Sequence, residues 1–205
     1  MSFFTTYSKK LENLIAVVIF LITFAVYFST MAPTVSFWDT GEFIATSHIL
    51  GVPHPPGSPL FLLVGKFFSL IPISSDIAFR VNIFSPIISA LTISLLFLIC
   101  NQFIDRVKPK DDNKFFKMWS SLTASLTFAF THSHWFNAVE TEVYAFSGFM
   151  TALVIYLIMR WSEKIHNSNH VIYLICISYI IGLATGLHLL NLLTIPFIGL
   201  IIYFS

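Results

Sequence analysis

Charged residues make up only 10% of this 205-residue chain, against about 25% in soluble globular domains, and that shortage excludes a soluble fold. A basic excess is missing too: the formal net charge is +1, and no basic patch interleaved with aromatics lies outside the apolar runs, which sets nucleic acid aside as a partner. There are two cysteines, Cys100 and Cys176, both inside apolar runs and without CxxC or metal-ligand spacing. They read as small packing residues rather than a redox or zinc pair. A small-x-small cleavage site is lacking after the first apolar run, so that run is an uncleaved span rather than a signal peptide. No repeat of fixed period and no low-complexity tract is present.

What the chain has instead is apolar length: 56% of it is hydrophobic and 17% aromatic. A helix needs about 20 mostly apolar residues to cross about 30 Å of hydrocarbon. That ruler gives about six spans, at roughly 14–31, 81–103, 118–131, 143–161, 171–187 and 189–205. The last two divide one run too long for a single crossing, with the break near Gly182, Gly186, His188 and Asn191. The expected fold is an all-α polytopic bundle forming a single transmembrane domain, residues 1–205. Because the final span ends at Tyr203, Phe204 and Ser205 without a polar flank, the chain is expected to be part of a longer protein.

The segment Pro59 to Ile71 is apolar but short and carries Lys66 at its centre. Length favours an interfacial or re-entrant helix. Basic residues decide the sidedness. If this segment does not cross, Lys9, Lys10, Arg106, Lys108, Lys110, Lys114, Lys117, Arg160 and Lys164 lie on the cytoplasmic side, and only Lys66 and Arg80 lie outside. The N-terminus is therefore expected in the cytoplasm, with residues 33–80 forming one large external loop that holds short interfacial helices.

That loop contains TVSFWDTGEFIATSHILGVPHPPGS, which places Asp39, Glu42, His48 and His54 within sixteen residues of a charge-poor chain. Ionisable groups kept in a membrane protein usually have a job. The second external loop, THSHWFNAVETEVYAF, brings His132, His134, Glu140, Glu142 and Tyr144 to the same face. Several of these residues have a structural reading beside the functional one. Asp39 followed by Glu42 also fits an N-cap and its capping-box partner. His54, in a turn of four prolines and two glycines, either caps that turn or donates to a phosphate. Arg80 fits an interfacial snorkelling residue as well as a phosphate ligand. Glu140 and Tyr144 share a helical face if the fourth span starts early. The His132, His134, Glu140 and Glu142 spacing matches no closed zinc pattern, so no metal and no other cofactor is assigned, a divalent cation being the alternative. The residues alone carry the reading to a polytopic membrane protein with an acidic outer loop.

The stretches FWDTGEFIATSHILGVPHPPGSPLFLLVGKFFSLIP and HSHWFNAVETEVYAF resemble the hallmark regions of a family of bacterial multi-pass membrane proteins related to transmembrane protein O-mannosyltransferases. The resemblance covers most of the chain through about Asn191. It implies a GT-C-type glycosyltransferase in the bacterial inner membrane, moving a hexose such as mannose from a polyprenyl-phosphate carrier to a hydroxyl of a protein or glycan acceptor on the periplasmic face. On this chain it implies Asp39 and Glu42 as catalytic residues, Asp39 as general base. His54, Arg80, His134, Glu140, Glu142 and Tyr144 become the substrate-binding set, the cations and donors among them facing the departing phosphate. The rivals are a secondary transporter, whose ionisable groups belong near the bilayer midplane, and a non-catalytic membrane subunit of an assembly or secretion complex.

Overall fold

The computed structural model describes residues 2–107 and 114–205, with side chains from Lys9 onward. Lys108 and Lys110 of the basic connector lie outside the described residues. All regular structure among the described residues is helical. Three helices are long and apolar enough to cross a membrane: Lys9–Thr30, Ile77–Val107 and Val143–Glu163. The first lies within α1 (Ser2–Thr30). The second joins α4 (Ile77–Asn82) and α5 (Phe84–Val107) across a brief irregularity at Ile83. The third is α8 (Val143–Glu163).

The other expected spans fall on shorter helices. The 118–131 segment lies mostly in α6 (Lys114–Ala129), which is closed by a turn before α7 (His132–Ala138). The long C-terminal run divides into α9 (Val171–Thr185), a 3₁₀ turn (Leu189–Leu193) and α10 (Thr194–Tyr203). His188 starts the 3₁₀ turn by accepting the Leu190 N–H on Nδ1 at 3.2 Å. Asn191, buried, donates to the carbonyls of Ala184 and His188 and so holds the break closed.

Helix α5 is the centre of the bundle and packs against α1, α6 and α8. Lipid tails give apolar faces little reason to prefer each other over the bilayer, so close packing and interhelical hydrogen bonds hold such helices together. Both devices are present. Ala16, Ala90, Ala129 and Ala138 are buried in the α1–α5–α6–α7 core. Ser94 donates to the Ala16 carbonyl at 2.8 Å, and the buried Tyr27 hydroxyl donates to the Ala129 carbonyl at 2.8 Å.

The segment between the first two long helices folds into α2 (Thr40–Ile49) and α3 (Pro59–Leu70), packed on each other and on α4. Pro59 opens α3, where its missing N–H costs nothing. At twelve residues α3 is about 18 Å long, short of the hydrocarbon thickness. Its Lys66 turns inward, donating to the His48 carbonyl at the C-terminal end of α2 at 2.5 Å, where the helix dipole favours a cation. An aromatic row joins this hairpin to the bundle: Phe43 meets Phe61, Phe61 meets Phe84, and Phe84 meets Phe146, with ring centroids 5.4, 6.3 and 5.1 Å apart.

Candidate functional site

Asn82 brings the loop after α1 and the loop before α8 together at one end of the bundle. Fully buried at the end of α4, it donates to the carbonyls of Ala32 and Thr34 at 2.9 and 3.0 Å, and its own oxygen accepts the Thr141 hydroxyl. The Ala32 N–H reinforces the seam by donating to the Val139 carbonyl at 2.8 Å. The 54–58 turn is fastened from the other side, because Ser58 donates to the Leu187 carbonyl and Leu60 N–H to the Gly186 carbonyl. One end of the bundle thus gathers parts of five chain segments.

Within that end, Asp39, Glu42 and His54 converge. Asp39 occupies the N-cap position of α2, yet its side chain makes no capping hydrogen bond. The capping reading therefore fails: Asp39 adopts helical φ and ψ rather than the extended backbone that would aim its carboxylate at the N–H groups of the first turn. Its side chain is 58% exposed, and Oδ2 lies 4.0 Å from His54 Nε2. Glu42 is no capping-box partner either. Its two oxygens accept from the His54 backbone N–H and pair with His54 Nδ1, both at 2.7 Å. This pairing holds the Glu42 carboxyl below the usual carboxylate range and raises the His54 imidazole above its ordinary value. With Nδ1 occupied by Glu42, Nε2 is the nitrogen turned to Asp39. Trp38, next to Asp39, has φ 59 and is 84% exposed. A bulky residue held in the left-handed region is the kind of backbone strain that clusters at functional sites.

Behind this exposed group lie two buried carboxyls. Glu140, 3% exposed, accepts the Ser36 hydroxyl on Oε2, while Oε1 is buried and unpartnered. Glu142 is 7% exposed, and burial together with Asp39 and Glu140 pushes its carboxyl up to about 7. Helix α8 begins only at Val143, so Glu140 precedes it and shares no helical face with Tyr144. Tyr144 is half exposed and sets its ring 5.4 Å from that of His188.

Two residues expected to meet a phosphate are used otherwise. Arg80 donates through Nε to the Ser74 carbonyl at 2.6 Å and through Nη1 to the Ser69 carbonyl at 3.1 Å, so its guanidinium fastens the loop between α3 and α4. His134 packs its ring against Phe128 and Tyr27 at centroid distances of 4.7 and 5.9 Å. Burial lowers its pKa to about 4, which makes it a neutral imidazole at physiological pH and no cation. His132 stacks on Phe136. Among the described residues, the group able to offer three metal-ligand atoms is Asp39, Glu42 and His54, all within 4.8 Å of one another, and not the His132–Glu142 region considered from spacing. The signal for it was present in sequence as a carboxylate pair three apart, followed by a histidine in a proline-rich turn.

A family model described as the protein O-mannosyl-transferase TMEM260 N-terminal domain matches residues 39–205. Protein O-mannosyl-transferase tmem260 of Dictyostelium discoideum is 27% identical over 210 residues, covering 96% of this chain and 24% of that protein. Protein O-mannosyl-transferase TMEM260 of Mus musculus is 29% identical over 153 residues, covering 72% of this chain and 20% of that protein. The chain thus spans about a quarter or less of these relatives' length. Both are eukaryotic, whereas the sequence motifs pointed to bacterial members. No solved structure matches the chain. With the helical bundle and the acidic end in place, the match over residues 39–205 shows that the chain belongs to the protein O-mannosyl-transferase TMEM260 N-terminal domain family.

Proposed function

We propose that this chain forms the reacting end of a membrane O-mannosyltransferase, which takes mannose from a polyprenyl-phosphate carrier and places it on a hydroxyl of an acceptor at the external face. The observation that carries the reading is Asp39, an uncapped and exposed carboxylate at the open side of a cluster backed by buried Glu140 and Glu142. A hydroxyl is a weak nucleophile until its proton leaves. In the proposed step the acceptor oxygen attacks the anomeric carbon and Asp39 takes the hydroxyl proton. The bond from the anomeric carbon to the phosphate oxygen breaks, and its electron pair leaves on the lipid phosphate. Glu42 acts through His54, whose orientation it sets with two hydrogen bonds. Tyr144 and His188 offer rings at the same end for the sugar. The apolar surfaces of the surrounding helices let the polyprenyl tail stay in the bilayer.

The test is transfer of mannose from a polyprenyl-phosphate donor to an acceptor peptide by the full-length protein, native against Asp39→Asn. The isosteric amide cannot accept the proton, and loss of a positioned base costs about 10²–10⁴ in rate. A native rate in Asp39→Asn overturns the assignment.

A further inference from the structure

Helix α3 carries apolar side chains on two faces. Phe61 and Leu62 are buried against the bundle, while Leu63, Phe67 and Leu70, spaced to form one helical stripe, are exposed. Ile49 at the end of α2 and Ile73 just beyond α3 are exposed as well. The one charged residue of α3, Lys66, flanks the stripe, and its ammonium is drawn off to the His48 carbonyl at 2.5 Å. The exposed face is therefore uncharged, whereas a helix face turned to water is normally polar. A helix of this kind lies in the membrane–water interface with its apolar face in the acyl boundary.

Positive charge stands at the edge of that face. Residues 33–80 hold two Lys or Arg side chains, Lys66 and Arg80, and both come to the corner built around Ser69. Arg80 Nη1 donates to the Ser69 carbonyl at 3.1 Å, and His48, whose carbonyl holds Lys66, sets Nδ1 3.4 Å from the Ser69 hydroxyl. These ties, with that from Arg80 Nε to the Ser74 carbonyl, use one of the three ammonium protons of Lys66 and two of the five N–H groups of Arg80. The other donors have no acceptor among the described residues. Asp76 is occupied as the cap of α4, accepting the Ala78 N–H at 2.7 Å, so two cations stand here against one carboxylate.

Depth supplies an independent indication. Arg80 and Arg106 belong to the continuous Ile77–Val107 helix and are about 39 Å apart along it at about 1.5 Å per residue. A bilayer with its headgroups is about 40–45 Å thick. With Arg106 among the headgroups of one leaflet, Arg80 reaches those of the other, and Lys66 and α3 stand beside it.

We propose that α3 is a membrane-docking surface, in which Leu63, Phe67 and Leu70 enter the acyl region of the adjoining leaflet while Lys66 and Arg80 hold the phosphate of an anionic phospholipid. Arginine offers a fork of N–H groups to phosphate oxygens and lysine a compact point charge. The lysine stem covers apolar surface while its head stays at the phosphate layer. The contact fixes the depth of α2, whose start carries Asp39 and Glu42, and it stands whether or not the chain is a transferase.

The test is lipid quenching of a bimane fluorophore on Phe67→Cys or Leu70→Cys in the full-length protein, freed of its other cysteines. The protein is reconstituted in vesicles of equal phosphatidylcholine and phosphatidylglycerol, with one or the other lipid carrying brominated acyl chains. Both positions are expected to be quenched as strongly as Ile22→Cys, exposed within the first span, and far more than Asn167→Cys, exposed in the turn after α8. Phosphatidylglycerol is expected to be preferred at Leu70→Cys by about fivefold or more, and Lys66→Gln to lower that preference about fivefold, as one cation fewer at an anionic surface does. Lys66→Arg is expected to retain it, and thermal unfolding checks that each variant is folded. Quenching at Phe67→Cys and Leu70→Cys no stronger than at Asn167→Cys overturns the docking face and means that water or another protein segment covers it. Equal quenching by the two lipids, or a preference undiminished in folded Lys66→Gln, overturns the phosphate site.

Discussion

His134 is a residue whose type suggested one role and whose surroundings impose another. Packed between Phe128 and Tyr27, with Nε2 buried and unpartnered, it is held neutral down to about pH 4. The unfolded chain protonates the same imidazole near its ordinary value of about 6.5. Between these values the unfolded state binds the extra proton, so His134 contributes stability that is intact above about pH 6.5 and is lost as pH falls toward 4. The loss is at most on the order of 3 kcal/mol. Thermal unfolding from pH 7 to 4.5 is expected to show a steeper fall for the native protein than for His134→Phe, which fills the same aromatic space without a titrating group; equal slopes contradict the assignment. What was legible here was position, since His134 does lie at the acidic end. Its charge was not legible, because burial against Tyr27 depends on a contact across more than a hundred residues. The same limit applies to Asp39. The pattern of Asp39 and Glu42 at a helix start is a correct sign of α2, but the backbone angles that withhold the capping bond, and the turn that presents His54 to Glu42, arise only on folding.

The α2–α3 hairpin carries the site, and its close crossing rests on one position. A methyl group added at Gly65 would collide with Ser47 Oγ and lie 2.8 Å from Ser47 Cβ, with Val81 Cγ1 at 3.6 Å. Ser47 is fully buried, so the collision is met by moving backbone rather than by swinging a side chain into solvent. Gly65→Ala is expected to cost about 1–3 kcal/mol, as overpacking does, and to loosen the turn that holds His54. In a Ser47→Gly background the same substitution is expected to cost less than half as much, a coupling that a double-mutant cycle on thermal stability measures directly. Additive effects would mean that the two helices do not cross here. The sequence announced this element as a short apolar run with Lys66 at its centre, read as a helix that does not cross. What Lys66 does was not legible: it ties α3 to the last turn of α2, visible only once the residues of positive φ at Leu50, Gly57 and Ser58 have reversed the chain.

The whole molecule separates its charges end to end. At the end opposite the acidic cluster, Lys117 pairs with Glu12 at 2.8 Å and with Asp105 at 2.6 Å, and Arg160 pairs with Glu163 at 2.8 Å. A cavity of about 370 Å³ lies between Lys9, Glu12, Gln102, Asp105, Arg160 and Glu163. Two considerations then bear on orientation in the bilayer. The described basic residues Lys9, Lys10, Arg106, Lys114, Lys117, Arg160 and Lys164 belong to helix ends on this side, and positive charge near helix ends favours the cytoplasm. The lipid-linked donor proposed for the external face requires the other end outside. Both give the same expectation, which single cysteines can test in a Cys100→Ser, Cys176→Ser background. Val52→Cys, exposed beside His54, is expected to react with a membrane-impermeant maleimide on intact cells. Asn167→Cys, exposed between α8 and α9, is expected to react only after permeabilisation. The reverse pattern would put the acidic end in the cytoplasm and, with it, require a donor presented on that side. Reaction of both positions on intact cells would mean an even number of crossings between them, as when α5 and α8 cross and α6 does not.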